Sequence, residues 1–391
     1  MSEDRSAPEA VDVDPMLDPH LEWQKARAEC PVGEVSLLGH PGMRVMRFDA
    51  SLEVLRDNDG YSSRINQETM GPYMGPLLLG KDGAEHTRYR NLVSHAFRAS
   101  ALARWRRELI EPTVHSLLDA IAPRGRAELV ADLTSRFPVQ VIAGIVGVPM
   151  QDHERFNAWA QDIAMGPVAP ERGLASSKAM REYLTPIVEE RRRHPREDLI
   201  SDLVDAEIEG QRLDDEHVYG FLRLLMPAGA ETTYRAMGSC LVALLTHPEA
   251  LARVRDDRSL LPRAIEETLR WDAPITLVNR LATRETRLEG TRCPAGASVL
   301  LVVGSANRDE SRWQRSSEWD LDREERSHLA FGWGRHLCLG IHLARLELEV
   351  GLGAVLDRLP GLRLDPDEPA PEIAGLAFRG PARIPVLFRP S

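Results

Sequence analysis

Cysteine is scarce in this chain, and its spacing excludes two common kinds of structural site. The 391 residues include only four cysteines, Cys30, Cys240, Cys293 and Cys338, which lie far apart and form no CxxC pair. Structural zinc sites need closely spaced cysteine or histidine ligands, and disulfide frameworks need more cysteines for their length. The sparse thiols therefore fit a protein of the reducing cytoplasm.

Long apolar runs and an excess of positive charge are also lacking. No uninterrupted apolar stretch approaches the roughly 18 residues that a membrane-spanning helix requires. The N-terminal segment MSEDRSAPEAVDVDP is polar and acidic, which is not the pattern of a signal peptide. The net charge of −11 disfavours nonspecific binding to nucleic acid or anionic lipid. We therefore expect a soluble, cytoplasmic protein with no nucleic-acid or membrane partner.

Internal repeats, low-complexity tracts and Pro/Ser-rich linkers are absent as well. A length of 391 residues would allow two domains by rule of thumb, but single domains of this size exist. Without a linker, the chain is best interpreted as one domain over 19–391, preceded by a disordered tail at 1–18.

The stretch 331–344, FGWGRHLCLGIHLA, carries the strongest chemical signal. It places Cys338 in a glycine-rich loop, directly before an apolar helix predicted over Leu339–Leu356. A thiolate is a soft ligand that suits porphyrin iron, and the positive end of the following helix favours the thiolate form. A lone cysteine would more often be buried and inert, but here the whole pattern Phe-Gly-x-Gly-x-His-x-Cys-x-Gly is filled. A dinucleotide-binding fingerprint beginning at Gly332 is excluded because Leu337 occupies its third glycine position.

This stretch resembles the heme-binding signature of the cytochrome P450 superfamily. The matching residues are Phe331, Gly332, Gly334, His336, Cys338, Gly340 and Ala344. The resemblance implies a heme b cofactor (iron protoporphyrin IX) whose iron is held by Cys338 and whose opposite face binds and activates O₂. It also implies a mainly α-helical fold with a small β-rich lobe, in a single heme-sandwiching domain of the soluble bacterial type.

A long apolar helix is predicted over Leu213–Thr246, and polar residues lie in its middle. A helix that is apolar all round is buried, so Glu231 and Thr232 conflict with simple packing, although a purely structural role stays open from the residues alone. Threonine can also bond to a carbonyl one turn earlier and distort the helix. The stretch 228–233 resembles the family's oxygen-activation motif, which implies that Glu231 and Thr232 are the catalytic acid and alcohol of a proton relay. Pro227 departs from the family pattern and is expected to shift the local geometry.

Other polar residues resemble the family's contacts to heme and its buried ion pairs. His86 and Arg90 are spaced i, i+4 on the predicted helix Asp82–His95, so they share a face and suit a carboxylate. Seen alone, this pair would be a solvated surface. By resemblance, the cofactor-binding residues are His86, Arg90, Arg280, His328, Phe331, Gly332, Arg335, His336, Cys338, Gly340 and Ala344. Three more residues resemble the family's structural ion trio, namely Glu267, Arg270 and, as the candidate third member, Arg323.

Two connecting segments are expected to cover a pocket. Asp57–Gly80 is predicted to be a long loop, and its apolar side chains favour a lid over a mobile surface loop. Met165–Gly173 is predicted to be a flexible connector. By resemblance, the substrate-binding candidates are Met70, Tyr73, Met74, Leu225, Ala228, Ala230, Ile275, Leu277, Val278, Ala377 and Phe378. Because this set is mostly apolar, we expect a hydrophobic small-molecule substrate.

The resemblance implies a monooxygenase that inserts one oxygen atom of O₂ into this substrate. The length leaves no room for an appended reductase, so electrons are expected from a separate ferredoxin or flavodoxin that docks on a basic patch with Arg88, Arg335 and Arg345 as candidates. We expect a monomer. Two alternatives stay open: a peroxygenase driven by H₂O₂, and a non-enzymatic heme protein that senses a ligand or recruits a partner. The Glu231–Thr232 pair disfavours both.

Overall fold

The computed structural model describes residues 18–37, 40–149, 152–324 and 327–391. Its helices are α1 (His20–Glu29), α2 (Phe48–Arg56), α3 (Ile65–Met74), α4 (Gly83–Ser94), α5 (Ala99–Trp105), α6 (Glu111–Ile121), α7 (Phe137–Val146), α8 (His153–Ala164), α9 (Pro170–Arg193), α10 (Leu199–Asp205), α11 (Asp215–Thr246), α12 (Pro248–Asp256), α13 (Leu261–Trp271), α14 (Val303–Ala306) and α15 (Ile341–Arg358). Its strands are β1 (Val32–Leu37), β2 (His40–Val45), β3 (Tyr61–Ser62), β4 (Arg126–Glu128), β5 (Glu207–Ile208), β6 (Gln211–Arg212), β7 (Leu277–Ala282), β8 (Thr286–Leu288), β9 (Thr291–Cys293), β10 (Ser298–Val302), β11 (Arg363–Leu364), β12 (Ile373–Ala374), β13 (Gly380–Pro381) and β14 (Pro385–Leu387). The tail predicted at 1–18 falls outside the described residues except for Asp18.

Helix α11 forms the centre of the larger, helical lobe. It begins where the Asp214 side chain accepts the backbone N–H of His217, a normal N-terminal cap. Most of its side chains are buried against α7, α8, α13 and α15, as its apolar sequence predicts. Pro227 removes one backbone hydrogen bond, yet the helix continues to Thr246. Burial on nearly all sides therefore outweighs the effect of the proline.

A five-stranded sheet in the order β1-β2-β10-β7-β3 forms the smaller lobe. Strands β1 and β2 form a hairpin with Val32 opposite Val45, and both strands begin and end earlier than the hairpin strands that the sequence predicts at Val35–Leu38 and Arg44–Phe48; Gly39 in the turn lies outside the described residues. Strand β10 is parallel to β2 and antiparallel to β7, and all five of its residues are buried. Its apolar sequence fits this central position. The predicted fold class, mainly α with a small β-rich lobe, is confirmed.

The predicted lid loop at 57–80 contains a helix that sequence reasoning missed. Helix α3 forms despite Gly71 and Pro72, two residues that weaken helices. The Gln67 side chain stabilises its end, because it donates to the Gly75 carbonyl and accepts the N–H of Leu77. Contacts with α9 and α11 also override the local propensity.

Two helix starts also differ from the sequence-based expectation. Asp49 was expected to cap α2, but the Phe48 N–H donates to Asp309, which is remote in sequence, at 2.9 Å. The connector predicted over Met165–Gly173 ends early because α9 already begins at Pro170, a residue well suited to the first helical turn.

The expected ion trio is present beneath the β-rich lobe. Arg270 donates to both carboxylate oxygens of Glu267 at 2.8 and 2.9 Å, and Arg323 donates to Oε1 at 2.8 Å. Arg270 also donates to the carbonyls of Asn307, Ser316 and Glu318. Since these buried charges are paired and saturated with hydrogen bonds, the trio links α13 to the segment before the cysteine loop.

Candidate functional site

The cysteine loop is a tight turn that directs backbone groups around Cys338. Gly332 and Gly334 have φ of +69° and +70°, a conformation that residues with a Cβ rarely adopt. A Cβ on Gly334 would also lie 2.5 Å from the Leu55 carbonyl oxygen. The Cys338 N–H donates to the Phe331 carbonyl at 2.9 Å, which closes the loop beneath the side chain.

The Cys338 thiol lies in a buried, electropositive environment. Burial raises its pKa, while a hydrogen bond from the Gly340 N–H and the charges of Arg90 and Arg345 lower it. Arg90 also donates to the Leu337 carbonyl at 2.8 Å and so holds the loop from α4. The helix that follows this loop, α15, begins at Ile341, two residues after the start that the sequence predicts. Burial dominates, so the pKa of the thiol is raised overall, while Gly340, Arg90 and Arg345 each stabilise the thiolate, which is the form that ligates a metal.

Two histidines lie beside this loop, and one ring nitrogen of each has no hydrogen-bond partner among the described residues. The rings of His86 and His336 lie 4.2 Å apart, and His86 Nδ1 and His336 Nε2 are buried without a partner. Burial, followed by the charge of Arg90, lowers the pKa of His86 to about 4, and burial, followed by Arg280, lowers that of His336 to about 3. Both imidazoles are therefore neutral donors at pH 7. Asp82 approaches His336 only to 3.7 Å, which is too long for a hydrogen bond.

Arg280 completes this group. It is buried, burial lowers its pKa to about 10, and among the residues that the structure describes it donates only to the carbonyl of its neighbour Asn279. The buried Arg280 cation needs an anion, and the N–H groups of the two neutral imidazoles need a hydrogen-bond acceptor. The carboxylates of heme b match this donor set, and Cys338 beside them supplies a ligand for its iron. The residues present thus fit the group that the sequence predicts.

His328 was expected among these residues and lies elsewhere. Its Nε2 is 3.2 Å from a carboxylate oxygen of Glu266, which also receives two hydrogen bonds from Arg345 at 2.7 Å. Because the carboxylate is a stronger acceptor than any neutral group, it orients the ring. The assignment of His328 to a heme carboxylate stays a prediction, and the structure shows its Nε2 beside Glu266. Arg335 is exposed, and its charge contributes to the low pKa of His86.

Helix α11 presents an open stripe within the otherwise buried lobe. Ala228 is exposed and Leu224 and Thr232 are half-buried, and these residues share one face at i, i+4 spacing. The Thr232 hydroxyl donates to the Ala228 carbonyl at 2.8 Å, as the sequence predicts. Helix α11 packs against α15, the helix that follows the cysteine loop, so the stripe and the thiol belong to neighbouring elements.

Glu231 is held by residues that sequence reasoning missed. Its Oε1 receives two hydrogen bonds from Arg235, at 2.8 and 2.5 Å, and one from the Tyr234 hydroxyl at 3.3 Å. Its Oε2 is buried without a partner. The i, i+4 spacing of an acid and an arginine was the signal in the sequence that could have identified Arg235. Arg235 thus fixes one carboxylate oxygen, and the other has no hydrogen-bond partner among the described residues.

Comparison with known proteins identifies the family. The Cytochrome P450 family model matches residues 16–374. The chain belongs to the cytochrome P450 family. Cytochrome P450 107B1 of Saccharopolyspora erythraea is 37% identical over 318 residues, covering 81% of this chain and 78% of the relative. Cytochrome P450 monooxygenase PikC of Streptomyces venezuelae is 34% identical over 386 residues, covering 94% and 91%.

A solved structure supports the same assignment. It contains P450BioI in complex with hexadec-9Z-enoic acid ligated Acyl Carrier Protein, and it matches with a TM-score of 0.86 and 30% identity over 95% of this chain and 98% of that one. The protein is therefore a P450 monooxygenase, and its cofactor is heme b. Among the described residues, no helix combines the length and apolarity needed to cross a membrane.

The eleven P450 pocket candidates differ in exposure: Ala228 is exposed, and the other ten are half-buried or fully buried. Ile275 and Phe378 form a β-bridge, and the Thr276 N–H donates to the Ala377 carbonyl, so the segment after α13 meets the turn between β12 and β13. The half-buried candidates are Met70, Ala377, Phe378, Ile275, Leu277 and Val278, and the fully buried ones are Tyr73, Met74, Leu225 and Ala230. Leu225 and Ala230 do not lie on the open face of α11 that carries Ala228. Leu224 lies on that face, although it is not among the candidates from the sequence.

A buried acid on α15 makes the stability of this P450 depend on pH. Glu347 is buried, its Oε2 lacks a partner, and desolvation raises its pKa well above 4.5. The folded protein therefore keeps the proton on Glu347, while the unfolded chain releases it above about pH 4.5. The free energy of unfolding falls as pH rises, by up to about 1.4 kcal/mol per pH unit, until the pH passes the pKa of Glu347 in the folded protein.

Glu347→Gln is expected to remove this loss. In urea unfolding of the heme-loaded protein between about pH 6 and pH 8, the free energy of unfolding of the variant should exceed that of the native protein by more than about 1 kcal/mol. The exposed neighbour gives a matched control, because Glu349→Gln should leave the pH dependence unchanged. Parallel pH curves for Glu347→Gln and the native protein would contradict the assignment.

Proposed function

We propose that this P450 hydroxylates a hydrophobic small molecule, with electrons from a separate ferredoxin or flavodoxin. The observation that carries the proposal is Glu231, whose Oε1 is fixed by Arg235 while its buried Oε2 is free, one residue before Thr232 on the open face of α11. An acid and an alcohol in this arrangement suit stepwise proton delivery in a site with little water.

We infer that the residues of the site have separate roles. Bound through Cys338, heme b supplies the redox chemistry of O₂ activation. His86, Arg90, Arg280 and His336 hold its carboxylates. Glu231 Oε2 takes up a proton from the solvent side and passes it toward the Thr232 hydroxyl, which stays oriented by its bond to the Ala228 carbonyl.

The apolar character of the half-buried pocket residues supports a hydrophobic substrate. These residues are Met70, Leu224, Ile275, Leu277, Val278 and Phe378. The P450BioI structure, in which the partner carries a fatty acid, adds support for a long apolar ligand. The substrate would make its contacts through these side chains, and the loop around Cys338 would hold the heme that supplies the oxidising chemistry.

The docking surface for the electron donor is smaller than the sequence suggests. Arg345 is engaged by Glu266, and Arg88 lies 3.0 Å from Glu209. Arg335 is exposed beside the cysteine loop and is the remaining candidate. We further propose a monomer with a single heme domain over 19–391.

Reconstitution with a purified electron donor tests the function. The heme-loaded protein is first titrated with fatty acids, terpenes, steroids and small aromatics, and the ferric spin state is recorded. A compound that shifts it toward high spin is then supplied with NADH, a reductase and either ferredoxin or flavodoxin. We expect hydroxylated product that depends on the donor and on O₂. Equal turnover with H₂O₂ alone would indicate a peroxygenase, and no consumption of reducing equivalents with any ligand would indicate a sensor.

A further inference from the structure

Arg379 is a buried arginine at the end of the turn that joins β12 to β13. It is 1% exposed, and each of its three guanidinium nitrogens has a hydrogen-bond partner. Its Nε and Nη2 donate to the two carboxylate oxygens of Asp272 at 2.8 and 3.1 Å. Its Nη1 donates to the Gly375 carbonyl at 2.8 Å, and its Nη2 to the Ile373 carbonyl at 3.1 Å. Because the guanidinium is planar and rigid, these bonds fix the backbone of the turn.

The turn that Arg379 holds carries two of the proposed pocket residues, Ala377 and Phe378. A second set of bonds ties this turn to the segment after α13. The Thr276 N–H donates to the Ala377 carbonyl at 3.1 Å, and the Thr276 hydroxyl donates to the Leu376 carbonyl. The positions of the two pocket side chains therefore depend on hydrogen bonds made by residues that are not pocket candidates themselves.

The charges around Asp272 balance only with a contribution from the N-terminal part of the chain. Arg308 Nη2 lies 3.7 Å from Asp272, so among the described residues two buried cations, Arg308 and Arg379, face one buried carboxylate. His20 Nε2 also approaches Asp272 to 3.8 Å, but burial lowers the pKa of His20 to about 4, so its ring is neutral at pH 7. Asp18, two residues before the start of α1, lies 3.1 Å from Arg379 and supplies the second negative charge.

Helix α1 also packs against the same two backbone segments through apolar contacts. The apolar cluster around Trp23 is joined by Leu277, a pocket candidate on β7, and by Leu376 of the turn. The Trp23 ring and the Thr276 side chain both lie against Gly304, where a Cβ would stand 2.6 and 2.9 Å from them. Ionic and apolar contacts thus join α1 to the segment after α13 and to the turn held by Arg379.

We propose that Arg379 is a positioning residue that sets the substrate selectivity of this P450, and that Asp18 beside α1 completes the ionic cluster that holds it. The proposal rests on the proposed monooxygenase function and identifies what determines the shape of its pocket. Arg379 acts through Ala377 and Phe378 rather than by touching the substrate. Small changes in an apolar pocket are sufficient, because one methylene group alters discrimination by roughly 10- to 200-fold.

Arg191 provides a matched control, because it is a buried arginine with a similar set of bonds. Its Nε donates to Asp198 at 2.5 Å, and its Nη2 donates to the Gly147 carbonyl at 3.0 Å. These bonds join the end of α9 to the end of α7 and involve no pocket candidate. Removal of either arginine leaves a buried carboxylate unpaired, so both changes destabilise the fold, but only the change at Arg379 should alter selectivity.

Two azoles of different size test the proposal in the heme-loaded protein. Imidazole and 4-phenylimidazole both bind ferric iron through a ring nitrogen, but only the second places a phenyl ring in the surrounding pocket. Their affinities are measured from the shift of the ferric Soret band, which reports binding rather than turnover. We expect Arg379→Met to change the ratio of the two affinities at least about fivefold, while the affinity for imidazole stays within about twofold. Arg191→Met should keep the native ratio.

The native ratio in folded Arg379→Met would overturn the proposal. Phe378→Ala should also change the ratio, and if it does not, the turn does not line the pocket and the proposal is equally rejected. If Arg379→Met does not fold, Arg379→Lys decides, because lysine keeps the charge beside Asp272 but lacks the planar fork that binds the carboxylate and both carbonyls. Its ratio should then differ from the native one, and an unchanged ratio would reject the proposal.

The contribution of the N-terminal part is tested at an exposed position. Asp18→Asn should change the azole ratio in the same direction as Arg379→Met, by at least about twofold, because the cluster keeps an excess positive charge. Glu22→Gln makes the same chemical change in the exposed first turn of α1 and should keep the native ratio. If Asp18→Asn behaves like Glu22→Gln, Asp18 has no part in holding Arg379.

The outcome is separable from that of the proposed function. A changed azole ratio in a protein that consumes no reducing equivalents would keep the positioning role of Arg379 and reject the monooxygenase. A protein that hydroxylates a substrate but shows the native azole ratio in every variant would do the reverse.

Discussion

Cys338→Ser is expected to abolish monooxygenase activity and the ferrous-CO spectrum typical of a thiolate ligand. Serine replaces a soft, polarisable sulfur with a hard hydroxyl that stays protonated at neutral pH, so it is a poor ligand for heme iron. The loop itself should persist, because its closing bond joins the Cys338 N–H to the Phe331 carbonyl and does not involve the side chain. Its positive-φ glycines also remain.

The measurement is the reduced CO difference spectrum of the variant, with far-ultraviolet circular dichroism as a check on folding. Cys30→Ser makes the same chemical change at an exposed position and should leave the spectrum unaltered. An unaltered ferrous-CO spectrum in Cys338→Ser would show that another residue ligates the iron. The carboxylate-binding group of His86, Arg90, Arg280 and His336 is untouched, so partial retention of heme is compatible with the assignment.

Thr232→Ala is expected to uncouple electron consumption from product formation. Thr232 follows Glu231 in the chain and lies on the open face of α11, where its hydroxyl is oriented by its bond to the Ala228 carbonyl. General acid–base groups contribute about 10²–10⁴-fold to such steps, so we expect product per electron to fall at least about tenfold, with hydrogen peroxide released instead. Heme content and substrate affinity should stay within about twofold, because no binding contact is lost.

The adjacent threonine provides the control. Thr233 is buried on another face of the helix, so Thr233→Ala removes the same atoms without touching the relay and should leave product per electron unchanged. NADH oxidation, product and peroxide are measured together under one set of conditions. If Thr232→Ala retains the native ratio of product to electrons, the hydroxyl has no part in proton delivery.

The structure also explains how Glu231 can act in a buried position. A lone buried carboxylate would be costly, but Arg235 is one helical turn away and binds Oε1 through two N–H groups. The Arg235 guanidinium lies 5.9 Å from the Phe378 ring, and the backbone of Gly380 leaves space for its side chain, since a Cβ there would lie 2.9 Å from Arg235 Cβ. The acid is thus positioned jointly by α11 and the hairpin β12–β13.

Local sequence predicted the parts of the site that depend on neighbouring residues. The cysteine loop is one such part, because its glycines, its cysteine and the following helix lie within 14 consecutive residues. Helix α13 occurs with the predicted bounds, and the long apolar helix α11 is shorter by only two residues at its start. The bond from Thr232 to the carbonyl one turn earlier was likewise expected. In each case the interacting groups lie within about one helical turn or one loop.

The sequence by itself determined the family chemistry: a thiol in a glycine-rich loop, an acid–alcohol pair in an apolar helix and a Glu-x-x-Arg pair on α13. Only the tertiary structure decided which partner each remaining charge has. His328 turns to Glu266, Asp309 rather than Asp49 caps α2, and Arg223 is left without a carboxylate. The physical reason is that these contacts join residues distant in sequence. Burial and packing select them, and the spacing of neighbouring residues does not predict them.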